Sequence, residues 1–213
     1  MTFDEYSAII TRMLSGMQFA GIHPGASEDV SAYYQSHLPR FRVQFSLLAN
    51  LARVETVLDL GTWFPFSSYF FHLRDGARVV YGCHRPVAGV AGCDHRQFNL
   101  CHLPDLPQSD LVICTEVLEH LPCNVVDVWD YVVGLIRPDG HLLVSFPLGG
   151  KNADNYHVDH GDWATVHGHI REFTGTSAGA FLARSRLRLI QLVDSEQPAY
   201  RRPIRNVLLQ REA

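Results

Sequence analysis

The chain has 213 residues, 46% of them hydrophobic and 19% charged, with a formal net charge of −4. That is enough apolar sequence for one full core and too much for a disordered chain. The acidic balance excludes a general electrostatic attraction to nucleic acid, and no stretch approaches the roughly 18 consecutive apolar residues of a membrane span.

The elements run as follows. FDEYSAIITRMLSGM carries apolar residues at helical spacing and should stop near Gly16. SEDVSAYYQSHLPRFRVQFSLLANL begins with a Ser-Glu-Asp cap and continues as an amphipathic helix that Pro39 breaks or kinks. Short apolar runs then alternate with helical stretches. The strand candidates are 56–60, 78–82, 96–100, 110–114, 140–146, 187–193 and 205–210. The helix candidates are 66–74, 116–136 and 174–184. Such alternation predicts an α/β fold, a doubly wound and mostly parallel seven-stranded sheet. The last two runs, joined only by DSEQPAYRRPI, should form an antiparallel pair. Residues 1–213 read as a single domain, with an N-terminal helical lid over 1–50 and an α/β core over 51–213. The five cysteines, Cys83, Cys93, Cys101, Cys114 and Cys123, are odd in number and match no zinc spacing. The opening MTFDEYSAII has acids and no basic n-region, so no secretory signal is expected and a reducing cytoplasm is the expected location.

Four segments occur in order and at consistent spacing: VETVLDLG, SDLVICTEVLEHLP, LIRPDGHLLVSFP and GHIREFTGTSAGAFLARSRLRLIQLV. Together, over about residues 50–195, they resemble the class I S-adenosylmethionine-dependent methyltransferases, in particular the small single-domain members with an EVLEH segment. The resemblance implies a Rossmann-like sheet with the cofactor bound outside the carboxyl ends of the strands. It places the cofactor against Asp59, Gly61, Thr62 and Trp63 after the first strand, His84 after the second, Asn99 and Leu100 after the third, and Glu116 after the fourth. Carboxylates at that rim suit a sulfonium cation.

Two departures from the family pattern stand out. Asp59 and Gly61 keep the family's acid and first glycine, but Trp63 and Pro65 occupy the later glycine positions. Trp63 either covers the amino-acid end of the cofactor or packs with Phe64 under the first core helix. Beyond the second strand, in VVYGCHRP, Cys83 or His84 stands where the family has an acid for the ribose hydroxyls. A neutral imidazole accepts one hydrogen bond where a carboxylate serves both hydroxyls, so weaker or differently arranged ribose binding is expected.

Methyl transfer to a hydroxyl or amine needs an aligned nucleophile and a group to take its proton. His157, His160, His167 and His169 crowd the stretch after the fifth strand, where substrate contacts are expected, and Glu116 faces the same crevice. Glu116, Glu119 and His120 with a later His, here His169, also resemble the metal-ligand pattern of a subgroup. That subgroup includes small-RNA 2′-O-methyltransferases and ubiquinone-pathway O-methyltransferases. A divalent metal would sit on those four residues, although metal-free members also carry EVLEH.

The leading expectation is a methyltransferase acting on O or N of a small, natural-product or sugar-like molecule. The alternatives are a metal-dependent RNA 2′-O-methyltransferase-like enzyme, against which the acidic charge argues, and a non-methylating protein that keeps the fold for binding or partnering. Neither nucleic acid nor membrane is an expected partner. The oligomeric state is open, a homodimer included.

Overall fold

A computed structural model describes residues 1–15, 30–84, 89–148, 179, 182–196 and 203–212. The N-terminal helices are α1 (Phe3–Ser15), α2 (Val30–Ser36) and α3 (Leu38–Ala49). His37 separates the last two, and Pro39 lies in the first turn of α3, where its missing N–H has no helical partner to lose. The strands are β1 (Thr56–Leu60), β2 (Arg78–Cys83), β3 (Cys93–Gln97), β4 (Ser109–Thr115), β5 (Ile136–Pro147), β6 (Leu187–Ser195) and β7 (Ile204–Arg211). Helix α4 (Tyr69–Asp75) follows β1 and α5 (Val125–Gly134) precedes β5.

The strands form one seven-stranded sheet in the order β3-β2-β1-β4-β5-β7-β6. β1 to β5 pair in parallel, and β7 enters antiparallel between β5 and β6. The expected doubly wound sheet with an antiparallel final pair is therefore present. Central strands bury both faces, so adjacent residues serve opposite cores. Val57, Val79, Tyr81, Leu111, Ile113 and Leu143 join α1, α3 and α4 on one face. Leu58, Val80, Val112, Cys114, Leu142 and Val144 join Val128, Trp129 and Val132 of α5 on the other. Fully burying side chains of this size contributes roughly 1.5–3 kcal/mol each, which is why the EVLEH-proximal helix is held although it is short. No helix among the described residues is long and apolar enough to cross a membrane.

Two expected elements differ. The strand at 96–100 lies earlier, at Cys93–Gln97. As an edge strand, largely half-buried, it needs no continuous apolar run, while Leu100–His102 forms a 3₁₀ turn capped by Asn99. The helix at 116–136 is split. Leu118–His120 makes one 3₁₀ turn, and Pro122 holds Leu121 extended, at ψ 119°. Asn124 then caps α5 by accepting from the Val126 N–H at 3.1 Å. Of the helix expected at 174–184, most residues lie outside those described.

Candidate active site

The sheet order reverses direction between β1 and β4, so their carboxyl ends open the crevice where α/β proteins place ligands. At the end of β1, Asp59 is buried, and its carboxyl accepts from the Ser68 hydroxyl at 2.6 Å. Burial raises the Asp59 pKa to about 7 against the lowering effect of Ser68. Gly61 follows at φ 78°, its N–H donating to the Gly82 carbonyl at 2.8 Å. A Cβ there would meet the Val117 side chain at 2.5 Å. The glycine is thus required twice, by its left-handed backbone and by Val117 across the crevice floor.

The loop that follows is filled with rings. Phe64 is fully buried, and Trp63, half-buried, packs edge-on against Phe66 at 5.0 Å and against Tyr33 of α2 at 5.6 Å. The Thr62 hydroxyl donates to the Phe64 carbonyl at 2.6 Å, and the Tyr6 hydroxyl of α1 donates to the Phe66 carbonyl at 2.5 Å. Trp63 and Phe64 therefore serve as packing residues that fasten the loop to the N-terminal helices. Tyr33 completes this layer by stacking on His37 at 4.0 Å.

Glu116 follows β4 directly at φ 56°, an uncommon backbone for a residue other than glycine and a recurrent mark of functional sites. Its N–H donates to the Ser145 carbonyl at 3.0 Å, and the Ser145 hydroxyl donates to Oε1 at 2.9 Å. Oε2 lies 3.7 Å from the guanidinium of Arg40, which reaches in from α3, is buried, and also donates to the Tyr33 hydroxyl at 3.3 Å. Burial raises the Glu116 pKa, with Arg40 and then Ser145 opposing it. The same burial, aided by Arg40, lowers the His37 pKa to about 4, so His37 is neutral at physiological pH. A second polar link ties the N-terminal helices to the sheet: Ser67 donates to Gln44 of α3 at 2.7 Å, and Gln44 donates to Asn206 of β7 at 3.3 Å.

Along the rest of the rim, His84 is exposed immediately beyond β2, and its carbonyl accepts from the Gln97 amide at 3.0 Å. Asn99 uses its side-chain oxygen to accept from the Cys101 N–H at 2.9 Å, and Leu100 is buried in the core. Of the expected metal set, Glu119 is fully buried and its carboxyl oxygens have no hydrogen-bond partner among the described residues. Burial, then the neighbouring Glu116, raises its pKa well above the usual range and so favours the protonated form. His120 lies 3.8 Å away through Nε2. Among the described residues no group of three or more His, Cys, Asp or Glu is arranged to hold a metal ion. His157, His160, His167 and His169 lie outside the described residues.

Arg40, Ser68 and Ser145 contact the candidate residues Glu116 and Asp59 and carry no sequence signal of their own. Arg40 sits among alternating polar and apolar residues in a helix, and only tertiary packing turns it inward. Nor does the sequence signal the disulfide joining Cys101 and Cys123, with 5.7 Å between their Cα atoms.

No family model matches the chain, and no curated protein matches it. Solved structures do. The N-methyltransferase NodS from Bradyrhizobium japonicum aligns with a TM-score of 0.65 at 14% identity, covering 84% of this chain and 98% of that one. The 1,6-didemethyltoxoflavin-N1-methyltransferase of Burkholderia thailandensis, solved with 1,6-didemethyltoxoflavin and S-adenosylhomocysteine, aligns at 0.66 and 16% identity, covering 99% and 90%. An O-methyltransferase family 2 protein from Planctomyces limnophilus, in complex with apigenin, aligns at 0.58 and 10%, covering 87% and 62%. At these identities the likeness establishes a shared fold.

Proposed function

We propose that this chain, which has the fold of class I methyltransferases, binds S-adenosylmethionine at the β1/β4 crevice and methylates O or N of a small molecule. The observation that carries the reading is the meeting of Asp59, Gly61 and the backbone-strained Glu116 at the switch point of the sheet. When bound, the cofactor supplies an electrophilic methyl group on a sulfonium. Its amino-acid end is a zwitterion, and the adjacent Arg40 guanidinium and Glu116 carboxyl offer one group for each charge. Thr62 and Trp63 border that end. His84 is within the chain's reach of the ribose, and Asn99 with Leu100 lies on the adenine side. The aromatic layer of Tyr33, His37, Trp63 and Phe66 would shield a ligand there from water.

An acceptor hydroxyl must lose a proton, and a neutral imidazole suits that step near neutral pH. His157, His160, His167 and His169 are the candidates. If a metal were held here, the buried Glu119 carboxyl would have to ionise on binding it, against the burial that raises its pKa. Supporting parallels come from the neighbours: one was solved with didemethyltoxoflavin and another with apigenin, both small planar molecules. A natural-product-like acceptor is the corresponding proposal here. The test is transfer of labelled methyl groups from S-adenosylmethionine to a panel of phenolic, heteroaromatic and sugar acceptors, with and without chelator. The reading expects chelator-insensitive transfer to at least one acceptor. Binding of S-adenosylhomocysteine with no transfer to any acceptor class would favour a ligand-binding role.

A further inference from the structure

Five cysteines are present, and the structure joins two of them. Cys101 belongs to the 3₁₀ turn after β3, and Cys123 lies between the 3₁₀ turn after β4 and α5. Each is half-buried, so both are near solvent, whereas Cys83 and Cys114 are buried and belong to no disulfide. Burial pushes the Cys93 thiol up to about 12 and raises Cys114 further, which makes both poor nucleophiles. The bridge spans 22 residues of sequence and 5.7 Å between Cα atoms, a separation that a disulfide accommodates.

The bridged segments follow β3 and β4, on the carboxyl side of the parallel strands where the crevice opens. On the Cys101 side, Asn99 caps the turn through the Cys101 N–H itself, so moving Cys101 moves Asn99 and Leu100. The Leu103 backbone that ends this turn is left-handed, at φ 47°, another sign that the segment is held by its surroundings. On the Cys123 side, two residues separate the bridge from the turn that carries Glu119, and Val117 of the same connection packs beside Gly61. The chain between the bridge and these groups is short.

We propose that Cys101 and Cys123 form a thiol-disulfide modification site that adjusts ligand affinity at the crevice, with small-molecule thiols such as glutathione as the co-reactant. The affinity part rests on the reading that S-adenosylmethionine binds here. In the reducing direction, a small-molecule thiolate attacks one bridge sulfur and the Cys101–Cys123 bond breaks. A mixed disulfide forms, and a second small thiol resolves it. Two electrons pass from the thiol pair to the protein, two protons end on Cys101 and Cys123, and the small thiols leave as their disulfide. The closed bridge fixes the 3₁₀ turn at Leu100–His102 relative to the β4–α5 connection, so ligand binding has less ordering to impose. The oxidised form is the tighter binder.

The experiment prepares one protein pool with oxidised glutathione and one with dithiothreitol. Differential alkylation and peptide mapping identify the linkage, and calorimetry follows S-adenosylhomocysteine binding to each pool. The expected result is a Cys101–Cys123 linkage confined to the oxidised pool, with about tenfold tighter binding there, the gain from ordering one or two segments beforehand. Cys101→Ser and Cys123→Ser proteins should each bind like the reduced pool under both conditions. Equal affinities in two pools that differ in the linkage would overturn the affinity role. A failure of the linkage to form in folded, oxidised protein would overturn the site itself. Absence of binding in both pools would instead defeat the cofactor reading, and the linkage map would still decide the modification site.

Discussion

Arg40 of α3 and Glu116 just beyond β4 lie 3.7 Å apart, both largely withdrawn from solvent, and together they connect the N-terminal helices to the carboxyl end of the sheet. Removing one partner of such a pair leaves a buried charge uncompensated, at a cost of about 3–5 kcal/mol. Arg40→Met should therefore lower stability by about that amount in urea unfolding at neutral pH. The double variant Arg40→Met with Glu116→Gln should recover much of the loss, because no ion is then left alone. Additive losses would mean that the two side chains are not coupled.

Asp59 predicts a pH dependence with a definite sign. Its folded pKa is raised from 3.8 to about 7 by burial, so the folded state holds this proton over a range where the unfolded chain has lost it. The stabilisation is complete below about pH 4 and disappears as pH rises to about 7, with a total on the order of a few kcal/mol. Glu116 and Glu119, also raised, act in the same direction. Urea unfolding across this interval should show stability falling with pH, and Asp59→Asn should flatten the curve. An unchanged slope in that variant would mean that Asp59 ionises normally.

The altered glycine loop makes a third prediction. Phe64 is fully buried between Trp63 and Phe66, whereas Trp63 is half-buried. Phe64→Ala should cost about 3–5 kcal/mol, the usual range for a buried ring, and Trp63→Ala clearly less. If the larger loss falls on Trp63, the loop is organised around the indole instead.

How much of this was legible beforehand differs by element. The strands with strong apolar runs were readable, because burial on both faces demands such runs. β3 was misplaced because an edge strand, CDHRQ, makes no such demand. The helix after EVLEH was over-extended across Pro122, although that proline's effect on Leu121 is a local rule that the apolar periodicity masked. Asp59, Gly61 and Glu116 were visible as motif residues. Their partners Ser68, Ser145 and Arg40 were not, since long-range hydrogen bonds leave no periodic trace. The family resemblance puts Gly61 against the ligand, but Val117 already occupies the space beside it. A Gly61→Val protein would therefore disturb the crevice floor directly and makes a poor probe of binding alone.

At the ribose end, His84 is exposed just past β2, so substitution there should leave the fold intact. His84→Asp places a carboxylate where two hydroxyls are proposed to sit. A hydrogen bond to a charged group is worth about 1.5–3 kcal/mol, so cofactor affinity should hold or rise by roughly tenfold. A clear fall in affinity, measured by calorimetry, would show that the imidazole itself is needed.

The most direct measurement is calorimetric titration of the wild-type protein with S-adenosylhomocysteine and S-adenosylmethionine. A cofactor crevice at the β1/β4 switch point predicts saturable one-to-one binding of both at concentrations below about 1 mM, with a matching rise in melting temperature. No heat and no thermal shift with either compound up to that concentration would contradict the account. The fold would then be one that has kept its architecture without its ligand.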